Sequence, residues 1–265
     1  MLKVTPAGYW RDESLADVAS TLLLGAFATF VPLYFGLVVP FVVGTPTPRK
    51  TLVLSAVAAG TIFWFFLDVM GNSTLLGVNQ AFGGGYTHVL LILVFAVGFV
   101  FLYVLEGWKR ESSGPTGKFT FRVAAVVALG MGFHAFGEGM AIGSVTPGAT
   151  SIVAAIGGVG PGAAYVLHKV LEGLVIGVFA ALAGLGFKKL GILGVISGIS
   201  TLLGFFVGLP NFLESTYFFA VGVAAALYVE TKLFPSLQFS QFKSLTIISL
   251  LAGFYLMYFA GLLHG

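Results

Sequence analysis

Eight stretches of this 265-residue chain are each long and apolar enough to cross a hydrocarbon core, a crossing that takes about 20 consecutive apolar residues in a helix. They lie near 19–44, 51–70, 87–106, 122–145, 161–185, 190–209, 215–234 and 244–263. Only 9% of the residues are Asp, Glu, Lys or Arg and 58% are hydrophobic, whereas a soluble domain carries about 25% charge. Too few polar groups remain to clothe a soluble surface. The expected fold is therefore all-α, a polytopic membrane protein of eight transmembrane helices. Residues 1–18 carry five charges and no signal-peptide core, so they read as an exposed arm before an uncleaved first span. Residues 19–265 form the eight-span domain, and the low-charge stretch between Gly143 and Pro161 is partly helical in character.

The basic residues test this count independently, because Lys and Arg collect in cytoplasmic loops. Arg49 and Lys50 fall in the first loop, Lys109, Arg110, Lys118 and Arg122 in the third, Lys188 and Lys189 in the fifth, and Lys232 and Lys243 in the seventh. The even-numbered loops contain none; Lys3 and Arg11 sit on the arm, and Lys169 lies inside a span. Both termini are thus expected outside a cell membrane that the chain crosses eight times. Dropping or adding one span would scramble the alternation.

Composition also removes several chemistries. The chain has no cysteine, which excludes disulfides, thiolate zinc clusters, iron–sulfur sites and thiol catalysis. Any metal must be held by His, Asp, Glu or weaker oxygen donors. The net charge of +3 comes from 13 thinly spread basic residues, a loop pattern that gives no support to nucleic-acid binding. Ser113-Gly114-Pro115-Thr116-Gly117-Lys118 has the wrong glycine spacing and setting for a phosphate loop and reads as a turn. Asn72-Ser73-Thr74 matches a glycosylation acceptor on the outer side. Glycines within spans, such as Gly130, Gly132, Gly137, Gly139 and Gly143, mark faces where helices approach closely.

Ionisable groups deep in a span are costly and mark pathways, ligand sites or partner pairs. Here they are His134 and Glu138 in the fourth span and His168, Lys169 and Glu172 in the fifth. Asp68, Glu106 and Glu230 stand nearer span ends, where a side chain reaches water; His88 and His264 are near the interfaces. Both deep groups are His-x-x-x-Glu-Gly: His134 to Gly139, and His168 to Gly173. A spacing of four stacks His and Glu on one helix face, and consecutive spans run antiparallel. Facing each other, they offer two nitrogens and two carboxylates, a donor set suited to Zn, Fe, Mn or Co and ill suited to Cu(I) or Ca. Two bare carboxylates in a low-dielectric core are costly, and a dication cancels their charge. A buried hydrogen-bonded pair accounts for one such motif; its duplication on adjacent spans favours a metal.

At these residues the chain resembles the ZIP (Zrt/Irt-like) family of divalent-metal transporters, over most of its length. The resemblance implies two inverted three-helix groups around a central helix pair. It also implies a metal site of His134, Glu138, His168 and Glu172 midway along the transport path, with Asp68 of the second span near that path. Many family members have a polar residue after the first motif His and an acidic or amide residue after the second, which helps to build a second metal site. Here Ala135 and Lys169 hold those positions. Alanine has no donor and a lysine ammonium repels a cation, so one metal is expected, with Lys169 standing in for the second cation against Glu138 or Glu172. Snorkelling of Lys169 to the outer surface is the alternative.

The functional expectation is a carrier that takes a divalent cation from outside to the cytoplasm, the ion being cargo and not a cofactor. Its partners are the cation, the lipid bilayer and, as an option the sequence leaves open, a second copy in a homodimer. Asp68, near an outer span end, could gather cations, and Glu230 and Glu106, near inner ends, could aid release; a cap or interfacial ion pair is the equal alternative for Asp68 and Glu230 and the better reading of Glu106. Two competitors share the ligand set: an intramembrane metal-dependent hydrolase and a transport-inactive relative. The chain lacks a His-Glu-x-x-His pattern and an evident serine nucleophile with a base, so no enzyme is expected.

Overall fold

A computed structural model describes residues 15–43, 47–72, 85–107, 119–145, 157–209, 215–237 and 243–262. Eight long helices account for nearly all of them: α1 (Leu15–Val42), α2 (Pro48–Asn72), α3 (Gly85–Gly107), α4 (Phe121–Val145), α5 (Val159–Leu182), α6 (Phe187–Gly208), α7 (Thr216–Leu233) and α8 (Lys243–Leu262). All eight are long and apolar enough to cross a membrane, and no strand occurs among the described residues. Their limits differ from the expected spans by at most four residues. The largest difference is at α1, which starts at Leu15, inside the stretch read as an exposed arm. The remainder of that arm, most of the segment from Gly143 to Pro161, Ser73-Thr74 and the Ser113–Lys118 turn lie outside the described residues.

Local chemistry sets the ends. Proline has no N–H to lose in a first turn, and Pro48 opens α2. Helix α5 stops at Gly184, whose φ of +63° suits glycine. There the Gly184 and Leu185 N–H groups donate to the Ala181 and Ala180 carbonyls, satisfying two otherwise orphaned acceptors.

The helices sort into two groups. Helix α4 packs along α6, α5 packs along α1, and α1 touches α6; in the second group α2 packs along α8, α3 along α7, and α2 along α7. The groups meet through α4 against α7 and α2 against α5, and more lightly through α5 against α8 and α3 against α4. Exchanging α1–α3 with α6–α8, and α4 with α5, carries this set of pairings onto itself. Glycines repeat the relation in detail. A Cβ on Gly139 or Gly143 of α4 would strike the carbonyls of Thr201 and Phe205 on α6, and one on Gly173 or Gly177 of α5 those of Leu33 and Leu37 on α1. From the other side, Gly204 abuts the Phe136 carbonyl and Gly36 that of Val170. Moving 34 positions along the central helices and 168 along their partners converts one set into the other. The molecule is built as an inverted repeat around a central pair.

Depth follows from this packing. The apolar window of α5 is 72% buried inside the protein and that of α4 61%, against 17% for α3. The motif helices are therefore the ones screened from lipid. The odd-numbered connections gather at one end: Phe41 meets Phe187, Lys189 lies over Phe121, and Lys232 pairs with Glu106. Among the described residues, that end carries Arg49, Lys50, Arg122, Lys188, Lys189, Lys232 and Lys243.

Candidate metal centre

Because α4 and α5 run oppositely and each stacks His over Glu on its inward face, their four donor atoms converge. One ligand atom from each of His134, Glu138, His168 and Glu172 lies within 4.8 Å of the others. Glu138 Oε1 is 3.3 Å from His134 Nε2 and 3.5 Å from His168 Nε2. Glu172 Oε1 is 3.3 Å from His168 Nε2 and 3.8 Å from His134 Nε2. Four donors placed tetrahedrally about an ion, with bonds of about 2.0–2.2 Å, stand about 3.3–3.5 Å apart. The separations between imidazole and carboxylate atoms match that spacing, and a dication fits among four donor atoms that all lie within 4.8 Å of one another. Both His134 and Glu172 are buried, and neither His134 Nε2 nor Glu172 Oε1 makes a hydrogen bond. Leaving such atoms unsatisfied is costly, and a cation between them removes the cost.

The second oxygen of each carboxylate is committed elsewhere. Lys169 Nζ donates to Glu172 Oε2 at 2.7 Å and to Glu138 Oε2. Its side chain is fully buried and Nζ lies 5.5 Å from the centre of the Tyr165 ring, whose hydroxyl is 3.0 Å from that of Thr29. Lysine therefore does not snorkel outward; it spans both carboxylates on the face away from the imidazoles. Ala135 is buried and supplies no donor.

The other helix group contributes walls instead of ligands. Phe65 of α2 stands edge-on to His134, with ring centres 4.5 Å apart, and is tilted against His168 at 5.6 Å. Phe219 of α7 lies 5.5 Å from His134. A Cβ on Gly222 of α7 would meet the His134 imidazole at 2.8–3.2 Å, so the bare backbone there makes room for the ring. None of these three was singled out from sequence. With 27 phenylalanines and 37 glycines in the chain, identity alone marks none of them.

The other charged candidates stand apart from this group. Asp68 is half-buried on α2, one turn beyond Phe65, and is not among the converging donors. Glu230 was expected to reach water, yet it is buried and neither of its oxygens accepts a hydrogen bond. Glu106 forms the expected ion pair, with Lys232, and also accepts from Tyr228 Oη at 3.0 Å. The side chains of His88 and His264 lie outside the described residues.

No family model matches the chain, and no curated protein matches it.

Proposed function

We propose that the protein is a ZIP-like carrier that moves divalent cations of the Zn, Fe(II), Mn or Co type toward the cytoplasm through the His134, Glu138, His168 and Glu172 site. The observation that carries this reading is the convergence of four donors, all within 4.8 Å of one another, from two oppositely directed buried helices. His134 Nε2 and Glu172 Oε1 stand 3.3 Å from Glu138 Oε1 and His168 Nε2 without the alignment of a hydrogen bond, whereas a purely structural cluster would align them. Lys169 occupies the place of a second cation, so the site takes one ion at a time. With neutral imidazoles, two carboxylates and one ammonium sum to −1 without the ion and +1 with it, a balance that holds the charge of both states small.

All four ligands and Lys169 belong to the group of α1, α4, α5 and α6, and the opposing group lends Phe65, Phe219 and Gly222 as a smooth wall. Displacement of one group along the other exposes the site first to one side and then to the other. Asp68 lies along the outer route and Glu230 along the inner, with the basic end toward the cytoplasm.

Radiometal uptake into liposomes containing the purified protein tests this. Wild type accumulates metal. Glu172→Ala lowers accumulation by more than the roughly 10–100-fold that losing an outer-shell partner costs. Absence of accumulation by wild type, or equal accumulation by both proteins, contradicts the proposal. Turnover of a lipid or peptide without accumulation would favour a metal-dependent hydrolase.

A further inference from the structure

Resting on that reading of the site, we infer that it selects four-coordinate dications of the zinc type, and that Lys169 and Phe65 set this selectivity by closing the two routes by which the coordination shell could expand. Ions such as Mn(II) and Mg(II) favour six donors. Four side chains reach six only if both carboxylates chelate through both oxygens, or if water adds the missing ligands.

The first route is closed by lysine. Oε1 of each glutamate faces the imidazoles, while Oε2 of each accepts from Lys169 Nζ. Turning Oε2 onto the ion would strip a buried ammonium of its acceptors and pull the dication toward a like charge. Each carboxylate is thereby held to one metal bond.

The second route is closed by phenylalanine. The fully buried Phe65 ring packs against both imidazoles, and Phe219 lies against His134 as well. Water placed there would lack the two to four polar partners that a buried water needs. The shell that remains is two nitrogens and two oxygens, which is the zinc arrangement.

Titration of the purified protein in detergent with Co(II), Zn(II) and Mn(II) tests the inference. Wild type bound to Co(II) shows the intense visible absorption of a tetrahedral ion; Zn(II) abolishes it and Mn(II) in about 100-fold excess leaves it. Lys169→Met keeps the buried volume and releases both Oε2 atoms, whereas Phe65→Ser gives water a foothold beside the imidazoles. Either change lowers the ratio of Zn(II) to Mn(II) affinity by at least about tenfold and weakens the cobalt absorption toward that of a six-coordinate ion. A weak, octahedral cobalt spectrum in wild type overturns the inference while the metal site stands. So does retention of the intense spectrum and an unchanged affinity ratio in both variants. A wild-type protein that binds none of the three ions overturns the carrier reading itself.

Discussion

At the scale of single residues, protonation and metal compete for the same atoms. In the proposed site His134 and His168 turn Nε2 toward the carboxylates, and a histidine nitrogen must be deprotonated to bind a metal. Acidification supplies the competing proton, so it removes donors and uptake falls. Initial uptake rates measured between about pH 7.5 and 5.5 should decline steeply, and a flat profile would contradict direct ligation by the imidazoles. The four converging residues were legible in the sequence because ionisable groups are rare inside spans and these repeat at the same spacing. The seating of Lys169 was only half legible. Its charge showed that it needed a partner, but its bond to both carboxylates depends on how α4 approaches α5. Glu230 misled for a related reason: position near a span end says nothing about which face of α7 it occupies.

Among the helices, the inverted repeat is written in glycine. His-x-x-x-Glu-Gly continues on both motif helices as x-x-Ile-Gly, through Ile142 and Gly143 on one and Ile176 and Gly177 on the other, an extension that was present in the sequence and went unread. It has a physical cause. Gly139 and Gly143 lie four apart, as do Gly173 and Gly177, so each pair opens one helix face to the backbone of α6 or α1, and small residues permit that approach. Gly139→Ala and Gly173→Ala should each destabilise the protein by about 1–3 kcal/mol, the usual cost of overpacking. Gly25, with nothing within 4 Å of an added Cβ, should accept alanine within about 0.5 kcal/mol. Thermal unfolding in detergent checks the three together, and equal melting of all three would contradict the packing role. Span limits were legible to within a few residues because apolar length sets them. The early start of α1 was missed because Asp17 lowers the hydropathy of a turn that is helical all the same.

For the whole molecule, transport by the proposed route requires the group of α1, α4, α5 and α6 to move against the group of α2, α3, α7 and α8. Absence of native cysteine makes this open to cross-linking. Phe136 and Phe218 face each other across the groups, with ring centres 4.6 Å apart, whereas Trp64 and Phe254, at 5.0 Å, belong to one group. A disulfide built at the first pair should stop uptake until it is reduced, and one at the second should leave uptake intact. The same loss from both pairs would remove the case for relative motion. Beneath the motion lies the claim that one dication is shared by four side chains. The most direct measurement is anomalous diffraction from crystals of the protein grown with Zn(II). A single peak bonded to His134, Glu138, His168 and Glu172, with Lys169 still against both glutamates, is the expected result. Two metal peaks on α4 and α5, or a peak bonded elsewhere with these four side chains turned away, would contradict it.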